Sequence, residues 1–95
     1  MADHALGGRR RVKLKMTYSA WREMEQIAGA ATREIGSAIA GLGRDPHPVG
    51  HDPVLGQRGC FRLAVVGWWI LYHVGRHDES VTVLGVLGER RPTLH

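Results

Sequence analysis

The side chains best placed to do chemistry are cations. Arg62 lies inside an apolar run, Arg90 and Arg91 follow the last such run, and Lys13 and Lys15 alternate with apolar residues near the N-terminus. Clustered guanidiniums grip phosphates in bidentate fashion and stabilise charge that builds on a phosphorus. A histidine nearby could move a proton while a 2′-hydroxyl attacks its adjacent phosphate. An exposed Trp68 or Trp69 would add a surface on which a base stacks; core is the commoner fate of such residues. Other chemistry is not spelled out: there is no G-x-S-x-G, no phosphate-binding glycine loop and no cysteine pair. His47 and His51 are four apart, but Pro46 and Pro48 deny them a helical face; His73 and His77 share the spacing with one on a strand and one in a turn. No metal and no cofactor are expected.

Charge distribution points the same way. The formal net charge is +4, with Arg9, Arg10, Arg11, Lys13 and Lys15 crowded at one end and Arg90 and Arg91 at the other. That pattern suits an anionic partner such as RNA, DNA or an acidic protein segment. With 95 residues there is room for one domain and one modest core. No apolar run approaches the roughly 20 residues a membrane span needs, and the N-terminus has no apolar stretch of a secretory leader. Cys60 is the only cysteine. An internal disulfide is therefore impossible, and a reducing cytoplasmic location is expected.

The elements that must position these cations centre on Cys60 to Gly88. Three apolar runs, rich in β-branched and aromatic residues, are broken at Gly67 and at Gly75-Arg76-His77-Asp78-Glu79. They read as a three-stranded antiparallel meander. The first run alternates Phe61, Leu63 and Val65 against Arg62, Ala64 and Val66. The second sets Trp68, Ile70, Tyr72 and Val74 against Trp69, Leu71 and His73. The third is apolar on nearly both faces, so a central position in the sheet is expected.

Upstream, Arg11 to Met16 alternates as a half-buried strand with Arg11, Lys13 and Lys15 outward. Ser19 is the expected N-cap of a helix from Ala20, with Trp21, Met24 and Ala28 at helical spacing and Ala20 and Ile27 beside them. After a break at Gly29-Ala30, a second helix carries Ile35, Ile39 and Leu42 and ends near Gly43. Three prolines between Arg44 and Pro53 argue against regular structure there. Residues 1–10 read as a disordered extension and 11–95 as a single α+β domain, β-α-α-β-β-β, with a helical hairpin packed on an antiparallel sheet and Trp21, Ile35, Ile39, Leu63 and Val83 in its core.

In this order and spacing the chain resembles the RelE/ParE superfamily of toxins from type II toxin–antitoxin pairs. The features that carry the resemblance run from Val12 to Arg91. They are the opening strand with Thr17-Tyr18-Ser19-Ala20, the helical hairpin, Leu42-Gly43-Arg44-Asp45-Pro46-His47-Pro48, and Leu55-Gly56. Phe61-Arg62-Leu63, Val66-Gly67 before Ile70-Leu71-Tyr72, and Val81 to Gly88 with Arg90-Arg91 follow. The resemblance implies a β-α-α-β-β-β fold, a cognate antitoxin as partner, and for RelE-like members ribosome-dependent endoribonuclease cleavage of mRNA. It implies catalytic roles for Arg62 and Arg90, with His95 standing where the family often ends in Tyr or His; His95 or His73 is the expected group for proton transfer. Lys13, Lys15, Arg91 and Trp69 would contact RNA. Two positions depart: Ala64 stands where a second basic residue is common, and Trp69 where the third strand usually carries Arg. ParE-like members inhibit DNA gyrase and do not need that constellation, so gyrase inhibition, or a toxin retaining only antitoxin binding, stays open.

Overall fold

The computed structural model describes residues 12–27 and 29–88. Elements follow in the order β1 (Lys13–Met16), α1 (Tyr18–Glu25), α2 (Ala30–Leu42), β2 (Asp52–Pro53), β3 (Cys60–Val65), β4 (Trp68–Val74) and β5 (Ser80–Gly88). One five-stranded sheet has the order β1-β5-β4-β3-β2. The meander is present as read, and β5 is interior, with β4 at the middle of the sheet. The sheet is mixed, because β1 joins β5 in parallel, Leu14 beside Val81 and Met16 beside Val83. Both helices pack on one face, α1 against β5 and α2 against β3 and β4. Ile35, Ile39, Leu42, Leu63, Ile70, Tyr72, Val81 and Val83 fill the space between.

Helix α1 corrects the sequence reading twice. Thr17, not Ser19, is the N-cap: its hydroxyl accepts from the Ala20 N–H at 3.0 Å. With the helix phased this way, Ala20 and Ile27 are buried with Met24 packed beside them, a spacing of i, i+4, i+7. Trp21 is one step off that stripe, about 100° around the axis, and is 53% exposed, so it is not core. Ala28 lies outside the described residues.

A second constraint fixes α1. Strand β1 ends beside Val83, so the rest of that edge of β5 has no strand partner. Exposed ladder groups must be satisfied. Thr17 does so with its N–H to the Val83 carbonyl at 3.0 Å and its hydroxyl to the Leu84 carbonyl at 3.3 Å. Glu23 accepts from the Val86 N–H at 2.7 Å. The loop Arg44 to Pro53 is also more regular than its prolines imply. Asp52 and Pro53 form a short edge strand, where a missing proline N–H costs no ladder bond. Arg11, the 1–10 extension and the tail with Arg90, Arg91 and His95 lie outside the described residues. Among the described residues, no helix is long and apolar enough to cross a membrane.

Ile39 is 6% exposed and Trp21 is 53% exposed. Ile39→Ala should cost about 2–5 kcal/mol, as buried large-to-small changes do, and Trp21→Ala a clearly smaller amount. Urea unfolding of both variants checks the corrected helix phase; equal losses would contradict it.

Candidate nucleic-acid interface

The face of the sheet away from the helices gathers five of the expected site residues, on β1, β3 and β4. Paired residues share a face, so register reads out its composition. Lys15 sits beside Thr82, Thr82 beside His73, and His73 beside Cys60, forming one row across four strands. The next row places Leu71 beside Arg62 and Arg62 beside Asp52. Beyond it, Leu87 pairs with Trp69 and Trp69 with Ala64. Lys13 begins β1 beside Ser80. Lys13, Lys15, Arg62 and His73 are all exposed, and Trp69 is half-buried.

Arg62 and Trp69 are diagonal neighbours, and they touch. The guanidinium carbon lies 4.4 Å from the Trp69 ring centroid. A guanidinium over an aromatic face is stabilised by about 0.5–1 kcal/mol at exposed sites. The stack restrains a long side chain while leaving the edge N–H groups free for a phosphate. Trp69 thereby spends one ring face on Arg62. His73 is placed by close backbone approach: a Cβ at Gly59 would stand 3.0 Å from His73 Nε2, and Gly59 has a left-handed φ of 80°. Only glycine meets both demands.

Asp52 reaches its place beside Arg62 because the 44–53 loop is tied down from beneath. The Tyr72 hydroxyl donates to the Pro46 carbonyl at 3.0 Å, and both residues are buried. Phe61 stacks on Tyr72 with centroids 5.8 Å apart. The sequence reading set His47 and His51 aside as separated by prolines, yet the folded loop brings them together against Phe61. The missed signal is Pro48-Val49-Gly50-His51: a glycine at the third position of a four-residue turn, here with φ of 96°, reverses the chain. Among the described residues, no set of three or more His, Cys, Asp or Glu side chains is arranged to hold a metal ion.

No protein-family model matches the chain, and no curated protein matches it. Solved structures do. The isolated RelE toxin of E. coli superposes with a TM-score of 0.73 at 16% identity, over 84% of this chain and 86% of that one. The chain has the RelE/ParE toxin fold. The RelBE2 toxin–antitoxin complex of Mycobacterium tuberculosis contains a match with a TM-score of 0.69 at 17% identity, covering 82% and 98%. A YoeB/ParE toxin from Agrobacterium tumefaciens gives 0.69 at 20% identity, covering 83% and 100%. On this RelE/ParE frame, Arg62 and His73 occupy the open face of the meander, and Ala64 and Trp69 stand next to each other in register.

Burial, with a smaller effect from Asp45, pushes the Tyr72 phenol up from 10.0 to about 12. The folded state therefore holds the proton after the unfolded chain has released it. The resulting stability is complete below pH 10 and is lost as pH rises towards about 12. Tyr72→Phe should cost about 1–3 kcal/mol at neutral pH, because it orphans the buried Pro46 carbonyl. It should also flatten the alkaline loss of stability. Denaturant midpoints across that pH range check both effects; an alkaline profile identical to the parent's would contradict the assignment.

Proposed function

We infer that this chain is the toxin of a type II toxin–antitoxin pair and acts as a RelE-like, ribosome-dependent mRNA endoribonuclease. The observation that carries the reading is the open sheet face, where Arg62 is braced on Trp69 with His73, Lys13 and Lys15 on the same surface. In this reading the edge N–H groups of Arg62 hold the non-bridging oxygens of the scissile phosphate as the 2′-hydroxyl attacks it. Arg90, carried over from the resemblance, is the second clamp. His73 or His95 takes part in proton transfer. The lysines, Arg91 and the free face of Trp69 hold the flanking RNA. Residues 11–95 form the toxin domain. A cognate antitoxin neutralises it by covering the cationic surface with carboxylates and apolar contacts; several structural neighbours are toxin–antitoxin complexes. The compartment is the cytoplasm, where ribosomes translate.

A second reading has its own support. Ala64 and Trp69 leave Arg62 as the one guanidinium in this part of β3 and β4, and the neighbours include a YoeB/ParE toxin and a ParDE system. A ParE-like inhibitor of DNA gyrase, or a toxin that retains only antitoxin binding, needs no phosphate clamp.

Removing one preorganised donor from a developing oxyanion costs about 100- to 1,000-fold in rate. Arg62→Ala and Arg90→Ala should each abolish growth arrest and transcript cleavage at matched soluble levels. Arg76→Ala, in the far turn, should leave both intact. Primer extension on transcripts after brief induction makes the measurement. Arrest by Arg62→Ala and Arg90→Ala as strong as the parent's, with uncut transcripts, would replace the ribonuclease reading by gyrase inhibition.

A further inference from the structure

The 44–53 loop carries a second cluster, on the face of the sheet opposite the cationic one. It consists of His47 and His51 from the loop, Asp78 from the β4–β5 turn, and Phe61 beneath both rings. His47 Nδ1 and His51 Nε2 face each other at 3.3 Å. Their opposite nitrogens are both engaged. His51 Nδ1 lies 2.8 Å from the Pro48 carbonyl, and His47 Nε2 lies 3.2 Å from Asp78 Oδ1. The rings meet edge-on at 61°, and each packs on Phe61 with centroids 5.0–5.4 Å away.

Hydrogen-bond roles assign the protons. A carbonyl only accepts, so His51 Nδ1 carries its hydrogen and His51 Nε2 presents a lone pair. An ionised carboxylate only accepts, so His47 Nε2 carries its hydrogen and a neutral His47 presents a lone pair at Nδ1. With the roles assigned in this way, two lone pairs face each other across 3.3 Å, an arrangement satisfied by a shared cation, either a proton or a metal ion.

We propose that His47 and His51 are a two-histidine site for a first-row divalent transition-metal ion of the zinc or nickel class. Geometry and surroundings agree. Two nitrogens at 2.0–2.1 Å from a tetrahedral metal stand about 3.3–3.4 Å apart, the separation found here. Metal-bound imidazoles characteristically donate their other N–H to a carboxylate or a backbone carbonyl, and this pair has one of each, Asp78 and Pro48. Imidazole nitrogen is the ligand such metals favour. With two protein ligands the remaining positions go to water, which fits the exposure of His47. The bound ion would tie the 44–53 loop to itself and, through Asp78, to the β4–β5 turn.

Titration of the untagged full chain with zinc or nickel chloride alone, followed by calorimetry and by melting temperature, tests the site. The parent should bind one equivalent saturably that depends on this pair, and its melting temperature should rise with metal concentration. His47→Gln and His51→Gln should each lose that equivalent, while His73→Gln keeps it. Asp78→Asn leaves both ligands in place and suits the left-handed backbone there, with φ of 55°. It should weaken affinity about 10- to 100-fold. Circular dichroism of the metal-free variants separates lost binding from lost folding. Absence of saturable binding would mean that the pair shares only a proton, and would overturn the proposal. So would binding that persists unchanged in both ligand variants.

Discussion

The β3–β4 hairpin turns through Val66 and Gly67 with φ of 39° and 86°. Both are left-handed, the pattern of a type I′ turn, whose twist matches that of the flanking strands. Gly67 adopts it freely. Val66 is β-branched and does so at a cost of order 1–3 kcal/mol. Pairing overcomes that cost: Val65 with Trp68, Ala64 with Trp69, and Leu63 with Ile70. A slip of one residue would send every side chain to the opposite face. Leu63, Ile70 and Tyr72 would then leave the core, and Arg62, Trp69 and His73 would be buried without partners. The core and the cationic face thus enforce the same register.

That register ties stability to chemistry. The fully buried Ile70 and Tyr72 pack beneath the helices, while their neighbours Trp69, Leu71 and His73 necessarily line the other surface. Arg62 meets Trp69 only because the hairpin makes them diagonal neighbours. Tyr72 reaches further, since its hydroxyl anchors Pro46 and so the loop that delivers Asp52 beside Arg62. On the far edge of β5, Thr17 and Glu23 stand in for a missing strand and hold α1 in place.

Much of this was legible in the residues. The meander follows from β-branched alternation with Gly67 between two runs, and Arg62 follows from its place opposite Phe61 and Leu63 in that alternation. Ile35, Ile39, Leu63 and Val83 in the core follow from the two periods. Trp21 misled because a large aromatic at helical spacing outweighs the small Ala20, which is the residue that faces the sheet. The cap at Thr17 was masked by Ser19, and only the backbone phase separates them. Parallel pairing of β1 with β5 is a long-range choice with no local signature. The meeting of His47 and His51 depends on a turn at Gly50 and on Asp78 arriving from residues far along the chain.

The proposed function has RNA meet the open face of the sheet. Trp21, Trp68 and Trp69 report on it separately: Trp69 lies on that face, Trp68 packs against the core from the helix side, and Trp21 is exposed on α1. Their three indole N–H resonances can be followed in the full chain as a short single-stranded RNA is added. Base stacking or phosphate contact at Arg62 should move the Trp69 signal, leave Trp21 and Trp68 in place, and weaken steeply with salt. A Trp69 signal that stays fixed while Trp21 shifts would contradict it, and would place RNA on the helical side of the molecule.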